Sequence, residues 1–134
     1  MSLGTLVLLA GLAHAQPVND LCENAIDVDS TSLPALTDPI SIADANLGGE
    51  AAACVPIGYT VWWKITPQEN INVTISTCDT EAFSTTVFDT VLSVYTSGDG
   101  TCDLLSLLDC SDDECIAQSS VTIDLQGGVT YYIQ

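Results

Sequence analysis

From Tyr59 onward, apolar and polar positions alternate with a period of two, interrupted by clusters of Gly, Pro, Asp and Ser. That period marks strands with one buried face, because successive side chains leave a strand on opposite sides. In YTVWWKIT (59–66), Tyr59, Val61, Trp63 and Ile65 share one face, and Thr60, Trp62, Lys64 and Thr66 the other. In INVTIS (71–76), Ile71, Val73 and Ile75 point inward, against Asn72, Thr74 and Ser76. In TVLSVYT (90–96), Leu92 and Val94 oppose Val91, Ser93 and Tyr95, while LLSLLD (104–109) reads as a shorter, more apolar strand. Over 120–133, Val121, Ile123 and Leu125 alternate, then Val129, Tyr131 and Ile133. Gly127-Gly128 between them supplies the positive φ angles of a tight turn, which predicts a hairpin. Residues 17–50 are less regular, punctuated by Pro34 and Pro39, and predict one or two edge strands.

No helical period of any length occurs. Short strands without intervening helices predict an all-β fold, an antiparallel β-sandwich. The 134 residues suffice for one domain. The run Leu3–Leu12, followed by Ala13-His14-Ala15, has the length and cleavage signature of an export signal and is too short to span a bilayer. It predicts a signal peptide over 1–15 and a mature domain over 16–134 that is secreted, extracellular or at the cell surface. No turn follows VTYYIQ, so the last strand reads as cut short and the domain as the front of a longer polypeptide.

Charge narrows the chemistry. Eighteen Asp and Glu face one cation, Lys64, for a net charge of −17, and the single histidine, His14, leaves with the signal. Nucleic acid is excluded, since its phosphates demand Lys and Arg, and so is an anionic membrane surface. Divalent cations and basic proteins remain as partners. Self-repulsion on this scale destabilises a compact state. Six cysteines, Cys22, Cys54, Cys78, Cys102, Cys110 and Cys115, predict disulfides formed outside the cytoplasm, which offset part of it. Six cysteines allow fifteen pairings, and spacing does not choose among them. Zinc is disfavoured, because no C-x-x-C pair and no mature histidine are present.

The order of the pieces resembles the bacterial pre-peptidase C-terminal (PPC-like) domain family of secreted multi-domain proteins. The motifs are NDLCENAIDV (19–28), Cys54, VWWKIT (61–66), NVTISTC (72–78), FDTVLSVYTS (88–97), TCDLLSLLDCSDDEC (101–115) and SSVTIDLQGGVTYYI (119–133). Trp63 and Ile65 depart from the family's usual Tyr and Phe. The resemblance implies a jelly-roll-like, disulfide-stapled sandwich that serves as a targeting, anchoring or substrate-binding appendage to further domains of the same polypeptide. It also implies the pairing Cys102–Cys110, Cys78–Cys115 and Cys22–Cys54.

Each chemical constellation has a bland counterpart. A Ser or Cys nucleophile needs an adjacent base, and the mature chain has no histidine, so no catalytic residue is assigned. A carboxylate-based hydrolase needs one acid with a raised pKa in an apolar pocket, which a loop as polar as DCSDDEC (109–115) does not offer. That loop suits calcium better, because calcium takes six to eight oxygens from flexible loops. If strands 90–96 and 104–109 form a hairpin, Asp89 falls at the same end as Asp109, Asp112, Asp113 and Glu114. These five are the candidate ligands, against an acidic solvated turn, and no cofactor other than calcium is implied. Trp62 and Tyr95 are candidates for stacking on an extracellular polysaccharide or protein ligand, against ordinary packing. Asn72-Val73-Thr74 is a glycosylation sequon that matters only in a eukaryotic secretory pathway. The leading expectation is a non-catalytic accessory domain, followed by a calcium-dependent carbohydrate- or protein-binding module and then by a small hydrolase.

Overall fold

A computed structural model of the protein describes residues 15–46, 54–56, 58–78 and 89–134. The expected signal peptide lies outside the described residues except for Ala15. Among the described residues seven strands follow in order: β1 (Ile26–Val28), β2 (Trp63–Ile65), β3 (Ile71–Ser76), β4 (Val91–Ser97), β5 (Leu105–Asp112), β6 (Ser120–Leu125) and β7 (Tyr131–Ile133). They form a five-stranded sheet, β1-β2-β7-β4-β5, and a two-stranded sheet, β3-β6. The fold is all-β and sandwich-like. One pair departs from the expected antiparallel arrangement, since β1 runs parallel to β2. No helix among the described residues is long and apolar enough to cross a membrane.

The small sheet follows the sequence pattern closely. Ile71, Val73 and Ile75 pair with Leu125, Ile123 and Val121 in register, and all six face the large sheet. On the outer face, Asn72 Nδ2 donates to Asp124 Oδ1 at 2.8 Å and the Thr74 and Thr122 hydroxyls meet at 2.8 Å. Cross-strand polar pairs of this kind each contribute a few tenths of a kcal/mol to about 1 kcal/mol. Ile65, Leu92, Val94, Tyr131 and Ile133 close the layer from the large sheet.

The other face of the large sheet is buried as well, which period two did not foresee. Trp62, Tyr95 and Tyr132 pack there with Cys22 and Ala25, and the Trp62 and Tyr95 rings sit 5.6 Å apart. The cover is the irregular segment before β2. Its backbone is tied to Trp62 by Trp62 N–H donating to Asn19 O, by Ile26 N–H donating to Trp62 O, and by Asn19 Nδ2 donating to the same carbonyl. The Asp20 carboxylate, itself buried, holds the far part of the segment by accepting from the backbone N–H and the side-chain amide of Asn46. β7 consequently serves two cores at once. Tyr131 and Ile133 point to the small sheet and Tyr132 to the N-terminal cover, so its Tyr-Tyr-Ile sequence is apolar throughout.

The disulfides are Cys22–Cys102, Cys54–Cys110 and Cys78–Cys115. The last is the expected pair; Cys102–Cys110 and Cys22–Cys54 are replaced. Cys102 precedes β5 and Cys110 lies near its far end, so both belong to the same strand's path and cannot face each other across a hairpin. Leu105 and Cys110 alone are roughly 17 Å apart along an extended strand, well beyond disulfide reach. Each instead clamps the N-terminal cover. Cys22 sits in the second core beside Cys102. Cys110 lies opposite Ser93, on the face away from the small sheet, because its neighbours Leu92 and Val94 point toward that sheet. Three such bridges are the mark of an oxidising, extracellular environment.

The predicted 120–133 hairpin does not form. β6 belongs to the small sheet and β7 to the large one, so the Gly127-Gly128 turn carries the chain between layers. Gly128 adopts φ +79° and its N–H donates to Pro67 O, while Gly127 N–H donates to Asn70 Oδ1. Backbone approaches so closely here that a Cβ on Gly127 would lie 2.7 Å from Glu69 Cα and 2.8 Å from Gln68 O. Gly127→Ala is therefore expected to lower stability by about 1–3 kcal/mol in urea unfolding, as overpacking against backbone does. Gly98→Ala, whose added methyl meets nothing within 4 Å, should leave the midpoint nearly unchanged.

Candidate functional site

The acidic stretch 109–115 is half strand and half turn. Pairing of β4 with β5 runs from Ser97↔Leu105 to Val91↔Asp112, with a bulge between Val94 and Tyr95. β5 thus extends beyond the expected 104–109 into the acidic run. The expected hairpin is present, and it brings the start of β4 beside the end of β5. The chain then reverses through Asp113 and Ile116, both at positive φ, and Cys115 bridges back to Gln118.

A half-buried polar knot fixes this end of the sandwich. The Thr77 and Thr90 hydroxyls meet at 2.7 Å, Ser119 N–H donates to Thr77 Oγ1, and Thr77 N–H donates to Ser119 O. The Ser119 hydroxyl donates to Thr90 O, and Thr90 N–H donates to Ala117 O. Cys78–Cys115 links the exit of β3 to the same turn, with Cα atoms 5.8 Å apart. Asp89, next to Thr90, is carried by this knot toward Asp112 and Asp113.

One carboxylate oxygen from each of Asp89, Asp112 and Asp113 lies within 4.8 Å of the others, and all three residues are exposed. Three of the five candidate ligands are therefore brought together. Asp109 and Glu114 are not in that group. Asp109 sits opposite Val94, three residues back along β5, with its carboxylate accepting from the Cys110 N–H at 2.8 Å. Asp109, Ser111, Asp112 and Glu114 instead line an open polar groove of about 450 Å³, with Ser120 and Thr122 of β6 on the far side. Alternation alone marks Ser120 and Thr122 as polar positions; only the packing of β5 beside β6 turns them toward the acidic strand.

Three carboxylates are a partial fit to calcium, which completes its shell with carbonyl oxygens and water. Partial loss of hydration, then the Asp113 and Asp89 charges, push the Asp112 carboxyl above its ordinary value. Elsewhere the shifts run the other way. Asp29 accepts from the Thr31 hydroxyl and N–H and from the Ser32 hydroxyl, and is held below the usual range. Asp99 is lowered by the Thr101 hydroxyl and N–H.

The remaining candidates sit apart. Trp62 is 0% and Tyr95 1% exposed, so neither offers a face to a ligand, and the expected stacking platform is instead core. Tyr95 OH donates to Gln134 Oε1 at 2.8 Å, which satisfies its polar end inside the protein. Asn72 is exposed on the outer face of β3. Lys64 pairs with Asp27 on β1 at 3.6 Å, a surface contact worth about 0–1 kcal/mol.

The directions set the pH response. Asp112, raised in the folded state, favours folding while protonated, and that contribution is lost as pH rises through its folded value. Asp29 and Asp99, both depressed, stabilise above the unfolded aspartate value and lose that contribution as pH falls through their own folded values. In a carboxyl-detected NMR titration, Asp112 should titrate above Asp29 and Asp99, and Asp113→Asn should bring it down without moving the other two. No family model, curated protein or solved structure matches this chain.

Proposed function

We propose that the chain is a non-catalytic, secreted accessory domain with a jelly-roll-like sandwich, which targets, anchors or binds substrate for a larger extracellular protein. The observation that carries this reading is the distribution of chemistry. Both faces of the centre of the large sheet are filled by apolar side chains, and Asp89, Asp112 and Asp113 stand on the exposed rim. A general acid needs a carboxyl held protonated by burial in an apolar pocket, and Asp112, the one carboxyl pushed upward among the described residues, is exposed in a polar groove. Lys64, the only cationic side chain, is engaged with Asp27. The resemblance of the motif order to PPC-like domains supports the same reading. Recognition at the rim is what such a surface offers.

A fluorescently labelled mature chain should be retained by cell-surface or extracellular matrix material, and should turn over none of a panel of glycoside, ester and peptide substrates. Turnover that disappears in Asp113→Asn, with the melting temperature unchanged, would contradict the proposal.

A second reading, a calcium-dependent binding module, is favoured by one observation: the convergence of Asp89, Asp112 and Asp113. A cation there would relieve the Asp113 and Asp89 repulsion that adds to partial loss of hydration in raising Asp112. Calcium should then increase the melting temperature, with a stabilisation of about 2.7 kcal/mol at a hundred times the dissociation constant. Asp112→Asn in EDTA should melt at or above the parent and gain nothing from calcium. An unchanged melting temperature for the parent at millimolar calcium would retire this reading.

A further inference from the structure

We infer that the outer edge of β5 is a strand-addition site for an extended, cationic, amphipathic segment of a partner protein. β5 is the longest strand among the described residues and terminates the large sheet, its backbone paired among those residues only with β4. Toward its far end Cys110 is bridged to Cys54 and the Ser111 hydroxyl accepts from the Ser120 N–H of β6, which leaves the stretch 104–109 as the open part of the edge. An unpaired edge presents a row of backbone N–H and C=O groups that another strand can complete. The edges differ in how they are blunted. β1 has three residues, and β3 turns Asn72, Thr74 and Ser76 outward. β5 instead leaves Leu107 and Leu108 41% and 47% exposed, and Leu104 just before it 61% exposed. Residues 104–112 contain no Lys and no Pro, the usual guards of an edge. The bulge opposite Val94 and Tyr95 twists the strand but leaves paired register on both sides of it.

Charge selects the occupant. Asp103, Asp109, Asp112 and Asp113 are exposed along and beside this edge. A second copy of the chain, with a net charge of −17, would set carboxylates against carboxylates, and like charges opposite one another across strands are destabilising. A strand alternating apolar and basic side chains would cover the leucines and neutralise the aspartates together. The same acidic edge therefore disfavours self-pairing and favours a basic partner. The inference names a partner for the recognition domain proposed above and rests on that reading, but it does not need a cation on the aspartates.

The test uses the isotope-labelled chain in EDTA, so that cation binding does not contribute, with a synthetic peptide of alternating lysine and valine about eight residues long, matched to β5. Expected are NMR amide shifts confined to 104–112 and the adjoining β4, with affinity falling about tenfold between low and physiological salt. Leu107→Thr should weaken binding, as should Asp109→Asn combined with Asp112→Asn, and N-methylation of alternate peptide amides should abolish it. No shift at millimolar peptide would overturn the inference. So would equal binding of the N-methylated peptide with shifts spread over the acidic surface, which would mean diffuse attraction only. Equal binding of a glutamate–valine peptide, or a dimer of the chain through β5 in sedimentation, would overturn it as well. None of these results would alter the retention assay, so the accessory-domain reading and the edge site fail separately.

Discussion

The centre of the large sheet, β7 and β4, is buried on both faces although only one face has a second sheet to cover it. The other face depends on an irregular stretch of chain, largely without strands, that lies across Trp62, Tyr95 and Tyr132. Such a cover has little backbone pairing of its own. It is held by the hydrogen bonds around Asn19 and Trp62 and by two covalent clamps, Cys22–Cys102 and Cys54–Cys110. The clamps span 80 and 56 residues of sequence, separations for which the chain-entropy picture gives on the order of 4 kcal/mol each. That is a large share of the 5–15 kcal/mol by which domains are typically stable.

This arrangement explains how so acidic a chain stays compact. Apart from Asp20, buried against Asn46, the carboxylates of the described residues stand at least partly exposed, where water and salt screen them, while the interior is given mainly to aromatic, aliphatic and disulfide groups. Where acids do converge, as at Asp89, Asp112 and Asp113, a rigid knot of Thr77, Thr90 and Ser119 holds the backbone under them. A surface built this way presents fixed negative charge from a stiff frame. Its uses are attraction and docking, and the proposals above assign those uses to one end and one edge of the same strand, β5.

Much of this was legible in the sequence where one face of a strand meets water. INVTIS and SVTIDL display the alternation of the small sheet directly, because their outer faces are solvated. The acidic end was legible too, since antiparallel pairing of two recognisable strands places Asp89 beside Asp112. Reading failed where the second cover intervenes. Trp62 shares a face with Lys64 and Thr66 by count, yet it is sealed under residues 19–26, whose irregular sequence gives no period to read. The Gly127-Gly128 turn carries hairpin chemistry, but the same glycines also permit close passage over Gln68 and Glu69, and strand partners were decided by sheet membership instead. Cys78–Cys115 forms as expected, but the other two expected cysteine pairs fail for the same reason, since the bridges join the cover to β5 and the turn before it, and no local pattern shows a cover at all.

Non-reducing digestion with a protease that cleaves before aspartate, followed by mass spectrometry, addresses the clamped cover most directly, because cuts at Asp103 and Asp109 separate Cys102 from Cys110. The structure requires linked peptides joining Cys22 to Cys102 and Cys54 to Cys110. A bridge between Cys102 and Cys110, or free thiols at Cys22 and Cys54, would mean that no covalent clamp fastens the N-terminal segment over the large sheet and would contradict the account.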